Sequence, residues 1–259
     1  MVHPTAPRID GGGISVCPAN VGHHVRCSAI SDGGGGDPRR LARHARCSLG
    51  CYDGCDRGAI HGGSGAAGRV PLADGRILLW NKTWDDWEAL LAMRGEKSSP
   101  RLAYLDGTVE IMSPSRDHEV IKSCIGCLLE AYCFARGIGF SPVGGWLQED
   151  KALEAGAEPD ECYVFEPGSR NKPRPDLVTE VIWTSGGIDK LEIYRRYGIG
   201  EAWFWEDNQI SIFVLTAGGY QRAPRSQVLT ELDIDLLAGF ACVQPVSDAV
   251  QQYRKALGH

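Results

Sequence analysis

Two Pro-Asp pairs, Pro159-Asp160 and Pro175-Asp176, each lead into a short run rich in Val, Ile, Tyr and Trp: Glu161–Phe165 and Leu177–Trp183. Such residues suit a pleated, buried surface, and the prolines keep the chain extended where each run begins, so both runs read as strands. A turn-rich connector, Glu166–Pro175, joins them, and a helix is expected from about Ile188. Asp160, Glu180 and Lys190 stand within this apolar setting. Acids are costly in a strand interior unless they are paired or bind a metal. Two acids on adjoining strands, with a lysine one element later, suit the holding of a divalent cation beside a phosphodiester. A hard cation such as Mg2+ takes one or two carboxylates and leaves room for phosphate and water, and a nearby ammonium group can steady the attacking water. Taken singly, each residue has a plainer reading: a turn cap for Asp160, a partnered structural acid for Glu180, a solvated helix residue for Lys190.

The rest of the chain supplies a frame for these strands. Arg76–Trp80 reads as a strand, and Thr83 as the cap of a helix over Trp84–Met93 with Asp85, Asp86 and Glu88 in its first turn. Arg101–Tyr104 and Thr108–Met112 flank Asp106-Gly107, a strong hairpin signal. Ser115 can cap a helix from Arg116 to Arg136, whose Val120, Ile121, Cys124, Leu128, Leu129, Tyr132 and Cys133 form a helical stripe closed by Gly137. A strand is expected near Phe140–Leu147, bent at Gly144-Gly145. After the two Pro-Asp strands come a helix over Ile188–Tyr197, a hairpin of Glu201–Trp205 with Ile210–Leu215, and a further strand at Gly219–Arg222. Closing helices are expected at Asp233–Leu237 and Val246–Leu257. The order predicts an α/β (α+β) fold: a mixed β-sheet flanked by helices in a single domain over residues 70–259.

Composition sets residues 1–69 apart. They contain no Lys, Glu, Trp or Phe but 15 of the 33 glycines, and they are expected to be a disordered extension, or upstream sequence read through from a start codon placed too early. His44, Cys47, Cys51, Cys55 and His61 lie there, but C-x3-C-x3-C lacks the C-x2-C spacing of zinc sites. The remainder carries 19 basic and 28 acidic residues, a balance that argues against nonspecific binding of nucleic acid and requires any phosphate contact to be local or metal-borne. Neither a secretory signal nor a membrane-length apolar run is visible, which predicts a cytoplasmic protein with free thiols and no membrane partner. Cys124 and Cys127 fall on an apolar helical segment and read as small buried thiols.

Several motifs in one order carry a resemblance. They are the run Arg101–Ser115, His118-Glu119, Glu158–Tyr163, Pro175–Val181, Asp189-Lys190 with Tyr194, and Gly198–Trp203. At these residues the chain resembles the Uma-type (Uma-two) family of restriction endonucleases, which has the PD-(D/E)xK nuclease fold, over roughly residues 76–240. The resemblance implies a restriction-endonuclease-like, metal-dependent phosphodiesterase with Asp160 and Glu180 as metal ligands and Lys190 as the motif lysine. It implies that Glu119, with His118, supplies the acid on the first core helix. It implies Mg2+ as cofactor, with Mn2+ as a substitute, and DNA as substrate, hydrolysed by a metal-activated water; a homodimer would allow both strands to be cut. One departure is plain: the wider fold has its lysine two residues after the strand acid, where this chain has Ile182. The competing expectation is a degenerate nuclease-fold protein that binds nucleic acid or a protein partner without cleavage.

Overall fold

The structure, a computed structural model, describes residues 14–15, 73–183 and 186–258. The cysteine-rich run and the rest of the Gly/Arg-rich stretch otherwise lie outside the described residues. Among the described residues twelve strands form two six-stranded sheets, with five α-helices.

The first sheet has the order β1-β2-β4-β3-β7-β6 and is antiparallel: β1 (Ile14–Ser15), β2 (Gly75–Leu79), β3 (Arg101–Leu105), β4 (Thr108–Ser113), β6 (Gln148–Asp150) and β7 (Ala155–Ala157). Helix α1 (Trp84–Arg94) lies against it through Trp84 and Trp87, which pack with Leu102, Tyr104 and Val109. Its start is a capping box: the Thr83 hydroxyl accepts from the Asp86 amide, and the Asp86 carboxylate accepts from the Thr83 amide. The expected hairpin turn is present, with Asp106 and Gly107 both at positive φ.

The second sheet is the mixed one, with the order β12-β11-β10-β9-β8-β5: β5 (Phe140–Pro142), β8 (Glu161–Phe165), β9 (Leu177–Val181), β10 (Glu201–Glu206), β11 (Gln209–Thr216) and β12 (Gly219–Ala223). Only β9 and β10 run parallel, joined by α3 (Lys190–Tyr197), as a parallel pair requires a crossover. Helices α2 (Arg116–Arg136), α4 (Ile234–Phe240) and α5 (Val246–Ala256) cover one face, burying Leu128, Leu129, Tyr132, Trp203 and Leu237 in the largest core. The other face buries Cys162, Val178 and Ala202 with Ile193 and Tyr194 of α3 and with Ala103, Ala155 and Ala157 of the first sheet. The catalytic candidates therefore lie where the two sheets and two helix starts meet.

Three expectations need correction. The strand expected over Phe140–Leu147 is confined to Phe140–Pro142: the chain turns at Gly144, at positive φ, so that β5 pairs with β8 while β6, beyond the expected span, pairs with β7 in the other sheet. The Asp106-Gly107 hairpin belongs to a separate antiparallel sheet rather than to the mixed one. Cys124 is buried but Cys127 is exposed, because positions three apart diverge by about 60° around a helix and the apolar stripe is narrower than the spacing suggests.

Candidate active site

The β8–β9 register pairs Glu161 with Thr179, so Asp160, one step earlier, faces Glu180 across the two strands. Both acids are buried, at 2% and 3% exposure. Glu180 is held from α3. Its Oε2 accepts from Lys190 Nζ at 2.7 Å, and its Oε1 accepts from the hydroxyl of Tyr194. Asp189 caps that helix by accepting from the Glu192 amide, which places Lys190 in the first turn and Tyr194 one turn on, both over the strand acid. Burial first, and then the Glu180 charge, push the Tyr194 phenol well above its ordinary range, so it stays a donor.

Asp160 is held from three sides. Its Oδ2 accepts from the Val181 amide at 2.7 Å, beside the Glu180 backbone, and lies 3.0 Å from Nε2 of His118; its Oδ1 pairs with Nη1 of Arg101. His118 is fully buried in the first turn of α2, where Ser115 caps the helix. Its other ring nitrogen lies 3.0 Å from Oδ2 of Asp74, so the imidazole stands between two carboxylates. Burial opposes ionisation of Asp74, but hydrogen bonds from His118 and the Ser115 amide outweigh it and hold the carboxyl below its usual range.

Glu119, next in α2, is half-exposed and accepts from Arg101 Nη2 at 2.9 Å and from Lys122 Nζ at 2.6 Å. Burial raises its pKa, yet Lys122 and Arg101 together bring it below the usual carboxylate range. The structure thus joins Glu180 to Lys190, and Asp160 to His118 directly and to Glu119 through Arg101. The two groups open on different hollows. Asp160, Arg101, Glu119 and Lys122 line a cleft of about 340 Å3. Glu180 and Lys190 line a cavity of about 380 Å3 with Arg76, Glu110 and Phe204.

Three residues near the site, Arg101, Asp74 and Lys122, carry weight that their sequence positions did not signal. Arg101 and Asp74 sit at strand margins and look like ordinary surface charges. Lys122 reads as a helix residue facing water. Glu110, buried at 3%, accepts from the Ile188 amide at 3.1 Å and pairs with Arg76 Nε at 3.3 Å, which fastens the start of α3 to the first sheet. Gly187 is required there: its φ is +152°, and a Cβ would collide with the Glu110 carboxylate. Asp176, by contrast, is the strand cap its position suggests, accepting from the Phe165 amide at 2.7 Å and pairing with Lys172.

Among the described residues no group of three or more His, Cys, Asp and Glu is disposed to hold a metal ion. A magnesium ion needs fewer, because it retains several waters beside one or two carboxylates. Asp160 Oδ1 and Glu119 Oε1 already grip a cation between them, the guanidinium of Arg101. In donor type and in charge, this pair fits a hard divalent ion.

Comparison with known proteins adds the following. The family profile named Uma2, described as "Putative restriction endonuclease", matches residues 87–246. No curated protein matches. Among solved structures, one similar chain is described as a putative nuclease belonging to DUF820, from Anabaena variabilis ATCC 29413. It shares 13% identity, with a TM-score of 0.39 over 66% of this chain and 98% of that one.

Proposed function

Since this chain belongs to the Uma2 family of restriction-endonuclease-like proteins, we propose that it is a divalent-metal-dependent endonuclease that hydrolyses DNA phosphodiester bonds. The observation that carries the reading is the pair of buried carboxylates, Asp160 and Glu180, opposite one another on adjoining strands and each held by cationic side chains. Buried ion pairs return little net stability once desolvation is counted. A cluster of this size beside two solvent-lined hollows is better accounted for by chemistry than by folding.

Asp160 and Glu119, which line one cleft, would hold Mg2+, or Mn2+ in its place, while Glu180 positions Lys190 in the neighbouring hollow. Such an ion, when bound, acidifies water and neutralises charge on phosphoryl oxygens. The protein's own part is positional. The Val181 amide and His118 fix the Asp160 carboxylate by its Oδ2 edge. Tyr194 fixes Glu180, so that Lys190 Nζ, 2.7 Å away, keeps a defined place from which to donate to a water or a phosphate oxygen. Lys190 thereby takes the duty of the lysine that Ile182 displaces from the strand. No described helix is long and apolar enough to cross a membrane.

A second reading is a protein that binds nucleic acid without cutting it. It is favoured by Ile182 and by the fact that every oxygen of Asp160 and Glu180 already has a partner. Purified protein incubated with supercoiled plasmid and Mg2+ or Mn2+ separates the two. Nicking or linearisation that disappears in Asp160→Ala supports the enzyme. A plasmid left intact with both ions supports the binder.

A further inference from the structure

Asp160 and Glu119 present their oxygens unequally. Asp160 Oδ2 is tied to fixed groups: the Val181 amide at 2.7 Å and the buried ring of His118 at 3.0 Å. Glu119 Oε2 is tied to Lys122 at 2.6 Å. The other two oxygens, Asp160 Oδ1 and Glu119 Oε1, share one partner, the guanidinium of Arg101, through Nη1 and Nη2 respectively. One side chain thus closes both oxygens, and its departure would open both at once, with the remaining contacts still holding the carboxylates in place.

We infer that Arg101 is a built-in competitor for the divalent cation: its guanidinium occupies the carboxylate pair in the metal-free protein and must leave when the ion enters. This rests on the metal reading above. The exclusion is electrostatic and steric. A hard cation sits about 2.1 Å from its carboxylate oxygens, and a guanidinium in direct contact with the same two oxygens leaves neither space nor a tolerable separation between like charges. Arg101 starts β3 at the rim of the 340 Å3 cleft, which Ser98, Ser99 and Lys122 also line, so the released side chain has somewhere to go. There its planar fork, with Lys122, would form the local basic spot that an acidic protein needs for a phosphate backbone. Metal affinity is therefore set by the exchange of one cation for another, and the metal-free protein is spared an uncompensated charge on the buried Asp160.

The test is Mn2+ binding to the whole protein, read by electron paramagnetic resonance of the free ion, for wild type and Arg101→Gln. Loss of a charge-assisted competitor should tighten binding by about tenfold or more. Phenylglyoxal labelling of wild type, read by peptide mass, gives a measure that does not depend on the variant folding: Arg101 should be protected in EDTA and modified when Mn2+ is present. Equal or weaker binding by a folded Arg101→Gln protein, or Arg101 equally protected with Mn2+ bound, overturns the competitor while leaving the metal reading intact. Absence of Mn2+ binding by both proteins overturns both.

Discussion

Tyr194 and Tyr253 are both fully buried tyrosines, and removing their hydroxyls should have opposite consequences. The Tyr194 hydroxyl donates to Glu180 Oε1, one of the two groups that satisfy that carboxylate. Tyr194→Phe removes no carbon and leaves the packing against Ile193, Val178 and Cys162 in place, so the loss is the hydrogen bond alone. A bond to a buried charged acceptor contributes about 1.5–3 kcal/mol, most of it the cost of leaving the acceptor short of a donor. For a domain of this size each kcal/mol shifts Tm by roughly 2–4 °C, so a loss of about 2 kcal/mol lowers Tm by about 4–8 °C. The Tyr253 hydroxyl is buried with no hydrogen-bond partner among the described residues. Tyr253→Phe should therefore leave Tm unchanged, or raise it by about 1 kcal/mol's worth, because an unpaired polar atom is removed from the core. Calorimetric melting in EDTA, to exclude metal linkage, measures both. If Tyr194→Phe melts with wild type, or if the two variants lose the same amount, Glu180 does not depend on Tyr194 and the description of the site is wrong.

Two further outcomes follow from the frame. A Cβ on Gly156 would meet Cζ2 of the fully buried Trp87 at 2.8 Å, so Gly156→Ala should cost about 1–3 kcal/mol by urea titration; an unchanged midpoint would mean that Trp87 is loosely seated. The Glu192 carboxyl is pulled down to about 2, first by Arg195 and then by Arg196, which also reaches Asp106 in the first sheet. A depressed carboxylate stabilises fully above its ordinary value of 4.5 and loses that contribution as pH falls toward 2. The Tm advantage of wild type over Glu192→Gln should accordingly shrink between pH 4.5 and 2, and a gap constant with pH would show that the ion pair contributes nothing.

Local signals in the sequence carried much of this architecture. Thr83 and Ser115 as caps, Gly137 as the αL terminus and the Asp106-Gly107 turn stand where side-chain chemistry puts them, because each is decided within a few residues. The partition into two sheets was not legible. Residues 140–147 read as one bent strand, and whether the chain on either side of the bend pairs with β8 or with β7 is settled by packing between elements distant in sequence. The site divides in the same way. Asp160, Glu180 and Lys190 stand out because charge inside an apolar run is costly. Arg101, Asp74 and Lys122 do not, because a charged residue at a strand margin or on a helix looks the same whether it faces water or a buried acid.

The proposal that this is a hydrolytic centre depends on Lys190 serving where Ile182 cannot. Single-turnover cleavage of an end-labelled DNA duplex by saturating Lys190→Met protein, with Mn2+ binding measured on the same preparation, asks this directly. Cleavage slowed by about a hundredfold or more, with the ion still bound, is the predicted result. A variant that binds Mn2+ and cuts at the wild-type rate would contradict it.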